Sequence, residues 1–209
     1  MIDKIQSILA DYQPDILGKQ RKFAVLLPLI KVHDAYHVLY QVRAKHISQG
    51  GQTSFPGGSV EVDESFQEAA LRETREELQL EAANIRLLGE IDYIVSEWAI
   101  VHCFVGEIIG IAYEDIVANE EVAYLFLVPL DTLVNLKPIH YDIEFETVQD
   151  DEFPLHLVSR DQSLPIHRRH TVSIYNLPNE ELLWGFTANL TERFIQILQQ
   201  DASFRKDTK

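Results

Sequence analysis

The residues that could most directly do chemistry lie between positions 72 and 77, where the chain reads Arg-Glu-Thr-Arg-Glu-Glu. On a helix, Glu73, Glu76 and Glu77 stand at i, i+3 and i+4, so their carboxylates project from one side. Like charges at this spacing repel each other by roughly 0.2–0.5 kcal/mol per pair on an isolated helix. A hard divalent cation would turn that repulsion into attraction, because Mg²⁺ takes oxygen ligands and keeps waters for substrate phosphates.

A solvated helix face is the alternative interpretation of these residues. Glutamate-rich turns are usually exposed to solvent, and Arg72 could pair with Glu68 or Glu76. A tight glycine turn, Phe55-Pro56-Gly57-Gly58, stands one short acidic segment before the predicted helix. That placement favours a metal site over a solvated face.

The segment from Gly58 to Leu80 resembles the Nudix box, the hydrolase signature G-x5-E-x7-R-E-U-x-E-E-x-G-U, in which U is a bulky aliphatic residue. The matching positions are Gly58, Glu64, Arg72, Glu73, Glu76, Glu77 and Leu80. Thr74 replaces an aliphatic residue, and Gln79 stands where the last glycine is expected. Because glycine tolerates a left-handed residue at a helix end, we expect Gln79 to end this helix at a steric cost.

The resemblance implies cleavage, dependent on Mg²⁺ or Mn²⁺, of a pyrophosphate in a nucleoside diphosphate linked to another group. It implies Glu73 and Glu77 as the main metal ligands, Glu76 as a ligand or hydrogen-bonding partner, and the Gly58 carbonyl as a further ligand. Arg72 would orient the carboxylates through charge-assisted hydrogen bonds. Glu76, Glu73 and Arg72 are therefore the expected catalytic residues. Which carboxylate accepts the proton of the attacking water is left open, because coupled acids share protons and metal.

The segment before the box is similar to a second signature, L-L-T-x-R-[SA]-x3-R-x3-G-x3-F-P-G-G, of Nudix enzymes that hydrolyse coenzyme A. The expected substrate-binding residues that match it are Arg43, Gly51, Phe55 and Gly57. The second arginine of the signature is absent: Ser48 falls near its place, and the spacing to Gly51 is one residue short. An ordinary strand followed by a turn-rich loop is the alternative interpretation, and both can hold together because loops often carry binding groups.

Two further clusters of charged residues have competing interpretations. In some Nudix enzymes an acidic residue in a late loop completes the metal site or acts as the base, and Glu120 and Glu121 are the candidates here. A helix N-terminus or a loop surface explains these acids equally well. The run from His167 to His170, which includes two arginines, could be a zinc or phosphate site, but we favour a solvated turn because no other ligands stand nearby.

The composition restricts the class of partner. The chain has 209 residues, a formal net charge of −15 and 46% hydrophobic residues, which indicates a globular protein rather than a binder of nucleic acid, since such binding needs a basic face. An acidic enzyme with an anionic substrate is consistent if bound metal ions make the local potential positive. Cys103, the one cysteine, stands in an apolar run and is expected to be a small buried residue, not a nucleophile.

Localisation and assembly are predicted from what the sequence lacks. No N-terminal apolar run of signal-peptide type appears, and no segment approaches the roughly 20 apolar residues that span a bilayer. We therefore expect a cytoplasmic protein with a small-molecule nucleotide as its partner and no membrane association. Exposed apolar strands could be dimer surface or core, so a homodimer stays open.

The elements that must position these residues indicate an α/β protein. The resemblance implies one Nudix hydrolase domain over residues 1–209, an α/β/α sandwich with a mixed central sheet and the box at 58–80. Periodicity predicts a catalytic helix from about Glu64 to Leu78 with Asp63 as N-cap, a C-terminal helix at about 187–200 and a polar tail at 201–209. Strands are expected at 23–30, 37–42, 85–88, 91–95 and 100–109.

Three functions from two classes remain in view. Hydrolysis of coenzyme A or acyl-CoA, giving 3′,5′-ADP and a 4′-phosphopantetheine species, is the function that the resemblance favours. Hydrolysis of ADP-ribose, a dinucleotide or a nucleotide sugar gains support from the absent arginine near Ser48. A Nudix-like ligand-sensing domain without turnover is the alternative from another class, and the intact set of Arg72, Glu73, Glu76 and Glu77 disfavours it.

Overall fold

The computed structural model describes residues 1–14, 16–145, 157, 168–201 and 204. Within them, the helices are α1 (Ile2–Ala10), α2 (Phe66–Glu77), α3 (Leu130–Asn135) and α4 (Gly185–Gln200). The strands are β1 (Arg21–Val32), β2 (Ala35–Arg43), β3 (Thr53–Ser54), β4 (Gly57–Ser59), β5 (Ile85–Glu90), β6 (Ile94–Val95), β7 (Ala99–Ile108), β8 (Val122–Pro129), β9 (Ile139–Phe145), β10 (Arg168–Asn176) and β11 (Leu182–Trp184). Strands β1 to β8 form one mixed sheet, and β9 to β11 form a second, antiparallel sheet.

The centre of the mixed sheet is a parallel pair, β1 and β7, in register from Arg21 opposite Ala99 to Ile30 opposite Ile108. Strand β2 pairs antiparallel with β1 through a two-residue turn. His33 and Asp34 in that turn have φ of 46° and 66°, the left-handed geometry that matches the twist of a hairpin. The sequence predicted strands at 23–30 and 37–42, which lie on either side of this turn.

Helices cover both faces of the mixed sheet. On one face α2 packs against β1 and β7 through Ala69 and Ala70, which are fully buried with Leu26 of β1. On the other face α4 packs through residues that include Leu190 and Phe194. The sheet thus lies between helices, which confirms the predicted α/β/α sandwich with a mixed central sheet. That one domain spans all 209 residues stays a prediction.

The N-terminus of α2 differs from the sequence prediction. Ser65, not Asp63, is the N-cap: its hydroxyl accepts from the backbone N–H of Glu68, and the Glu68 side chain accepts from the backbone N–H of Ser65. This reciprocal capping box satisfies two amide donors at the helix start. Asp63 has a φ of 65° in the preceding turn. The predicted start at Glu64 was wrong because the capping box outweighs a single acidic cap.

The C-terminus of α2 carries the expected strain. Gln79 has a φ of 48°, a left-handed conformation that costs a residue with a Cβ roughly 1–2 kcal/mol. The backbone N–H of Leu80 donates to the Arg75 carbonyl at 3.0 Å, which closes the helix end as a Schellman motif does. The Gln79 amide also donates to the Ala118 carbonyl at 3.3 Å, a long bond that offsets part of the cost.

Gln79→Gly is therefore expected to stabilise the protein by about 1 kcal/mol, because glycine adopts a left-handed φ without steric cost. The measurement is the free energy of unfolding from denaturant titration of both proteins. Gln79→Ala is the matched control: it loses the same amide but keeps the Cβ, and it should be no more stable than the original chain. Equal stability of the glycine and alanine variants would contradict strain at this position.

Several smaller predictions are settled by the described residues. The strand predicted at 91–95 is confined to Ile94–Val95. Arg168 to His170 begin β10 rather than a turn, and Arg169 pairs with Asp142 and Glu144 across β9; His167 and most of the polar tail lie outside the described residues. Cys103 is buried, which confirms the prediction of a small buried residue, and burial raises the pKa of its thiol to about 12. No helix in the described part of the chain could cross a membrane.

Candidate active site

A cavity of about 490 Å³ lies beside β4, within the size range of small-molecule sites. Its floor comes from β1, β4 and β7, and its walls come from the loop after β2 and the first turns of α4. The predicted residues that line it are Arg43, Phe55, Gly57, Gly58, Glu73 and Glu77. The fold therefore brings the two signatures of the sequence into one cavity.

Glu77 is the most buried carboxylate of this cavity, with 3% of the residue exposed. Its Oε2 atom accepts hydrogen bonds from the Gln41 amide and from the Gly57 backbone N–H, each at 2.9 Å. Burial raises the pKa of Glu77 to about 7, although both hydrogen bonds act in the opposite direction. The carboxyl is held in place yet destabilised as an anion, a state that a nearby cation would relieve.

Glu73 lies one helical turn before Glu77, against the glycine turn. A Cβ built on Gly58 would stand 2.3–2.6 Å from the Glu73 carboxyl atoms, so only glycine leaves room for this side chain. Burial raises the pKa of Glu73, and the charges of Glu76 and Glu121 raise it further against the opposing effect of Arg72. Negative charge is therefore concentrated at this end of the cavity.

Arg72 ties the carboxylates to the glycine turn. Its guanidinium donates to Glu64 at 2.8 and 3.0 Å, to Glu73 at 2.9 Å and to the Ser59 carbonyl at 3.0 Å. A longer bond of 3.3 Å reaches Glu76. Planar, bidentate contacts of this kind fix orientation as well as charge. Arg72 thus has the geometry to orient Glu73, the role that the sequence predicts for it.

The remaining acidic candidates differ in whether they line the cavity. Glu76 is exposed and contacts Arg72, outside the residues that line the cavity. Glu121 lines the cavity, whereas its neighbour Glu120 does not. The loop that carries Glu121 is fixed at both ends, because the Asn119 amide donates to the Glu77 carbonyl and the Ala44 amide donates to the Glu121 carbonyl, each at 2.8 Å.

The predicted substrate-binding residues differ in whether they line the cavity. Arg43 lines the cavity and donates from Nε to the Ser48 carbonyl at 2.9 Å. Gly51 has a φ of 80° and donates its backbone N–H to the Arg43 carbonyl at 2.8 Å, so it shapes the loop from outside the cavity lining. Phe55 lines the cavity edge while its ring stacks on buried Tyr40 at 5.2 Å.

The residues of the site that were not predicted from the sequence include Gln41, Arg21, Trp98 and Phe186. Gln41 is fully buried and holds Glu77, and its signal was a polar residue within the apolar strand β2. The other three line the cavity from β1, the loop before β7 and α4. They carry no local pattern, since only the folded chain brings them together.

The donor set fits a hard divalent cation. Among the residues that the structure describes, no three His, Cys, Asp or Glu side chains already converge as a ligand group. Mg²⁺ needs fewer than three protein side chains, because it commonly binds through one or two carboxylates and completes its coordination shell with water and substrate phosphate. Glu73 and Glu77 offer such carboxylates. Both hydrogen bonds to Glu77 end on Oε2, and the missing Cβ of Gly58 lets the Glu73 carboxyl lie against the glycine turn.

Glu121 and Glu120 form a natural test pair. We expect Glu121→Gln to lower kcat by roughly 10²–10⁴-fold, the contribution of a positioned acid or base, because Glu121 faces the cavity. Glu120→Gln removes the same charge one residue away and should leave kcat within a few fold. Steady-state kinetics on both variants, at matched metal concentration, make the measurement. Equal losses would mean that net charge, not position, matters.

Comparison with known proteins agrees with this geometry. A family model of the NUDIX domain matches residues 20–172. Nudix hydrolase 3 of Caenorhabditis elegans is 26% identical over 96% of this chain and 84% of its own length. Nudix hydrolase NudL of Yersinia pestis (strain Pestoides F) is 30% identical over 84% of this chain and 79% of its own.

Among solved structures, a Nudix hydrolase from M. smegmatis, RenU, aligns with a TM-score of 0.47 and 24% identity over 56% of this chain and 74% of that one. The family match covers most of the chain, including the glycine turn, Arg72 and the carboxylates of α2. The chain therefore belongs to the Nudix family of hydrolases and is a pyrophosphohydrolase.

Proposed function

We propose that this enzyme hydrolyses the pyrophosphate of coenzyme A or an acyl-CoA, releasing 3′,5′-ADP and a 4′-phosphopantetheine species. The observation that carries the proposal is the shared cavity: Arg43 and Phe55, from the signature that resembles coenzyme A hydrolases, line the same space as Glu73 and Glu77. Arg43 would bind a substrate phosphate, since a guanidinium matches phosphate oxygens in pairs.

The residues of the site have separable roles in this reaction. A water molecule attacks one phosphorus, the bond from that phosphorus to the bridging oxygen breaks, and the other phosphate leaves with the bridging oxygen. Glu73 and Glu77 would hold Mg²⁺ or Mn²⁺, with the Gly58 carbonyl as a further ligand. The bound ion would neutralise the pyrophosphate and acidify the attacking water.

Proton transfer and positioning fall to other side chains. We assign acceptance of the water's proton to Glu121, because among the described acids that line the cavity it is the one not proposed as a metal ligand. Arg72 keeps Glu73 oriented, and Gln41 keeps Glu77 oriented. A catalytic role for Glu76 stays a prediction from the resemblance.

A second substrate class has one specific observation in its favour. Ser48 falls near the place of the second arginine of the coenzyme A signature, and its carbonyl accepts a hydrogen bond from Arg43. A cavity with fewer cations suits a substrate with fewer phosphates, such as ADP-ribose, a dinucleotide or a nucleotide sugar. The sensor domain without turnover is set aside because the family is one of hydrolases. Cytoplasmic location, absence of nucleic-acid and membrane partners, and a homodimer stay predictions.

Product analysis by mass spectrometry tests the proposal. The protein is incubated with Mg²⁺ or Mn²⁺ and, separately, coenzyme A, acetyl-CoA, ADP-ribose, NADH and a nucleotide sugar. We expect 3′,5′-ADP from coenzyme A or acetyl-CoA, and none after chelation of the metal. Cleavage confined to the other substrates would retain the pyrophosphohydrolase and overturn coenzyme A as substrate.

A further inference from the structure

The cavity has an aromatic wall that the proposed roles do not use. The rings of Trp98 and Phe186 stack with centroids 5.7 Å apart and planes 19° apart. Phe23 meets Trp98 edge-on, with centroids 6.5 Å apart and planes at 72°. All three residues line the cavity, and Trp98 is 53% exposed. The indole ring of Trp98 thus contacts aromatic rings on two sides and is open to the cavity on another.

The strand register places this wall at a defined distance from the carboxylates. Gly58 lies opposite Ala24 of β1, and the backbone N–H of Arg21 donates to the Trp98 carbonyl at 2.9 Å. Three residues of a strand separate Ala24 from Arg21, which corresponds to about 10 Å along β1. The wall therefore lies about 10 Å along β1 from the glycine turn that contacts Glu73, in the same cavity.

The charge beside the wall is positive. The Arg21 guanidinium lies 4.8 Å above the Phe23 ring, and its Nη2 reaches Ser59 Oγ at 3.5 Å. No described carboxylate forms an ion pair with Arg21, although the chain carries a net charge of −15. A cation beside the aromatic wall of an acidic cavity suits an anionic group of the ligand.

We propose that the Trp98–Phe186 stack receives the adenine ring of the substrate and that Arg21 binds a phosphate on its ribose. The inference rests on the proposed nucleoside diphosphate substrate and extends it to the base and the ribose phosphate. An adenine ring on an aromatic side chain contributes roughly 1–3 kcal/mol, about 5- to 150-fold in affinity. Coenzyme A carries a 3′-phosphate beside its adenosine, whereas ADP-ribose does not, so Arg21 would favour the former.

Tryptophan fluorescence gives a test that needs no turnover. The chain has two tryptophans, so Trp184→Phe leaves Trp98 as the reporter. In EDTA, we expect AMP and 3′,5′-ADP to quench this emission at saturable concentrations, and ribose 5-phosphate and 4′-phosphopantetheine to leave it unchanged. Equal quenching by ribose 5-phosphate, or no quenching by either adenine nucleotide, would overturn the proposed binding of adenine at the Trp98–Phe186 stack.

Kinetic variants complete the test. Trp98→Ala should raise KM at least 5-fold with kcat nearly unchanged, because stacking on the base is remote from the reacting phosphorus. Tyr141→Ala, which removes an equally exposed ring on β9, is the control and should change neither. Arg21→Ala should remove any preference for 3′,5′-ADP over AMP in the fluorescence assay, and a retained preference would exclude the proposed phosphate contact.

The two proposals fail in different ways. Quenching of Trp98 by adenine nucleotides without cleavage of coenzyme A would support adenine binding at the Trp98–Phe186 stack and overturn coenzyme A as the substrate. Cleavage of coenzyme A with an unchanged KM in Trp98→Ala would support coenzyme A as the substrate and overturn adenine binding at the Trp98–Phe186 stack.

Discussion

Glu77→Gln is expected to lower kcat by roughly 10²-fold or more, because it removes a charge that would hold the metal ion, and a bound metal contributes several kcal/mol to the stabilisation of the transition state. The substitution removes one of the two carboxylates proposed to hold the metal and keeps the shape of the side chain. Its Oε1 atom can still accept from Gln41 and Gly57, whose bonds to Glu77 measure 2.9 Å. The loss therefore reports charge at this position rather than a collapsed cavity.

The same substitution should stabilise the protein in the absence of metal. The pKa of Glu77 is raised from an ordinary value of 4.5 to about 7, so the folded state binds its proton more tightly than the unfolded state does. Stability therefore falls as pH rises from about 4.5 through about 7, and above that range the full penalty is present. The rise in pKa corresponds to roughly 3 kcal/mol as an upper bound.

Thermal or urea unfolding between pH 5 and pH 8, in EDTA, measures this effect. The original chain should lose stability across the interval, and Glu77→Gln should lose less and be more stable at pH 8. Glu114→Gln, an exposed carboxylate on the turn before β8, is the control and should follow the original chain. Added Mg²⁺ should stabilise the original chain more than the Glu77 variant. A fully active Glu77→Gln would contradict the proposed metal site.

Gly58→Ala and Gly57→Ala are expected to damage the enzyme in different ways. At Gly58 an added Cβ meets the Glu73 carboxyl at 2.3–2.6 Å, the far end of a flexible side chain that can move away. We expect a folded protein in which Glu73 is displaced, with kcat lowered about 10²-fold, since small misplacement of a catalytic group has effects of this size.

At Gly57 the added Cβ meets the backbone itself, with the Ala24 carbonyl oxygen at 2.3 Å and the Val25 Cα at 2.6 Å, at a φ of 150°. Strands β4 and β1 must then separate, so we expect a loss of several kcal/mol in the free energy of unfolding. Unfolding and kinetic measurements on both variants separate the two effects. Gly51→Ala is the control for strain without a clash, since nothing lies within 4 Å of its added Cβ at a φ of 80°. Unchanged activity in Gly58→Ala would contradict contact between Glu73 and the glycine turn.

The sequence was most informative where local spacing carries the chemistry. Glu73 and Glu77 line one cavity because residues four apart share a face of a helix. The apolar runs of β1 and β7 are typical of central strands. The helix start was misplaced because Asp63 and Ser65 both suit an N-cap, and only the reciprocal bond with Glu68 separates them.

Other features depend on contacts between distant parts of the chain. Neighbouring acids at 120 and 121 look alike in sequence, and the attachment of their loop to β2 and α2 decides which one faces the cavity. Trp98 and Phe186 are far apart in the sequence, and their rings meet only because α4 packs on the mixed sheet. No periodicity or motif could place them side by side.

The two ends of the cavity are built from different segments of the chain. The carboxylates lie on α2 and are tied by Arg72 to β4, whereas the aromatic wall comes from the loop before β7 and from the first turn of α4. Mutations in the wall can therefore alter which nucleotide is retained while the ionic network of Arg72 stays intact. A duplicated gene of this type could acquire a new substrate through a few changes near positions 98 and 186 without rebuilding the machinery that breaks the pyrophosphate.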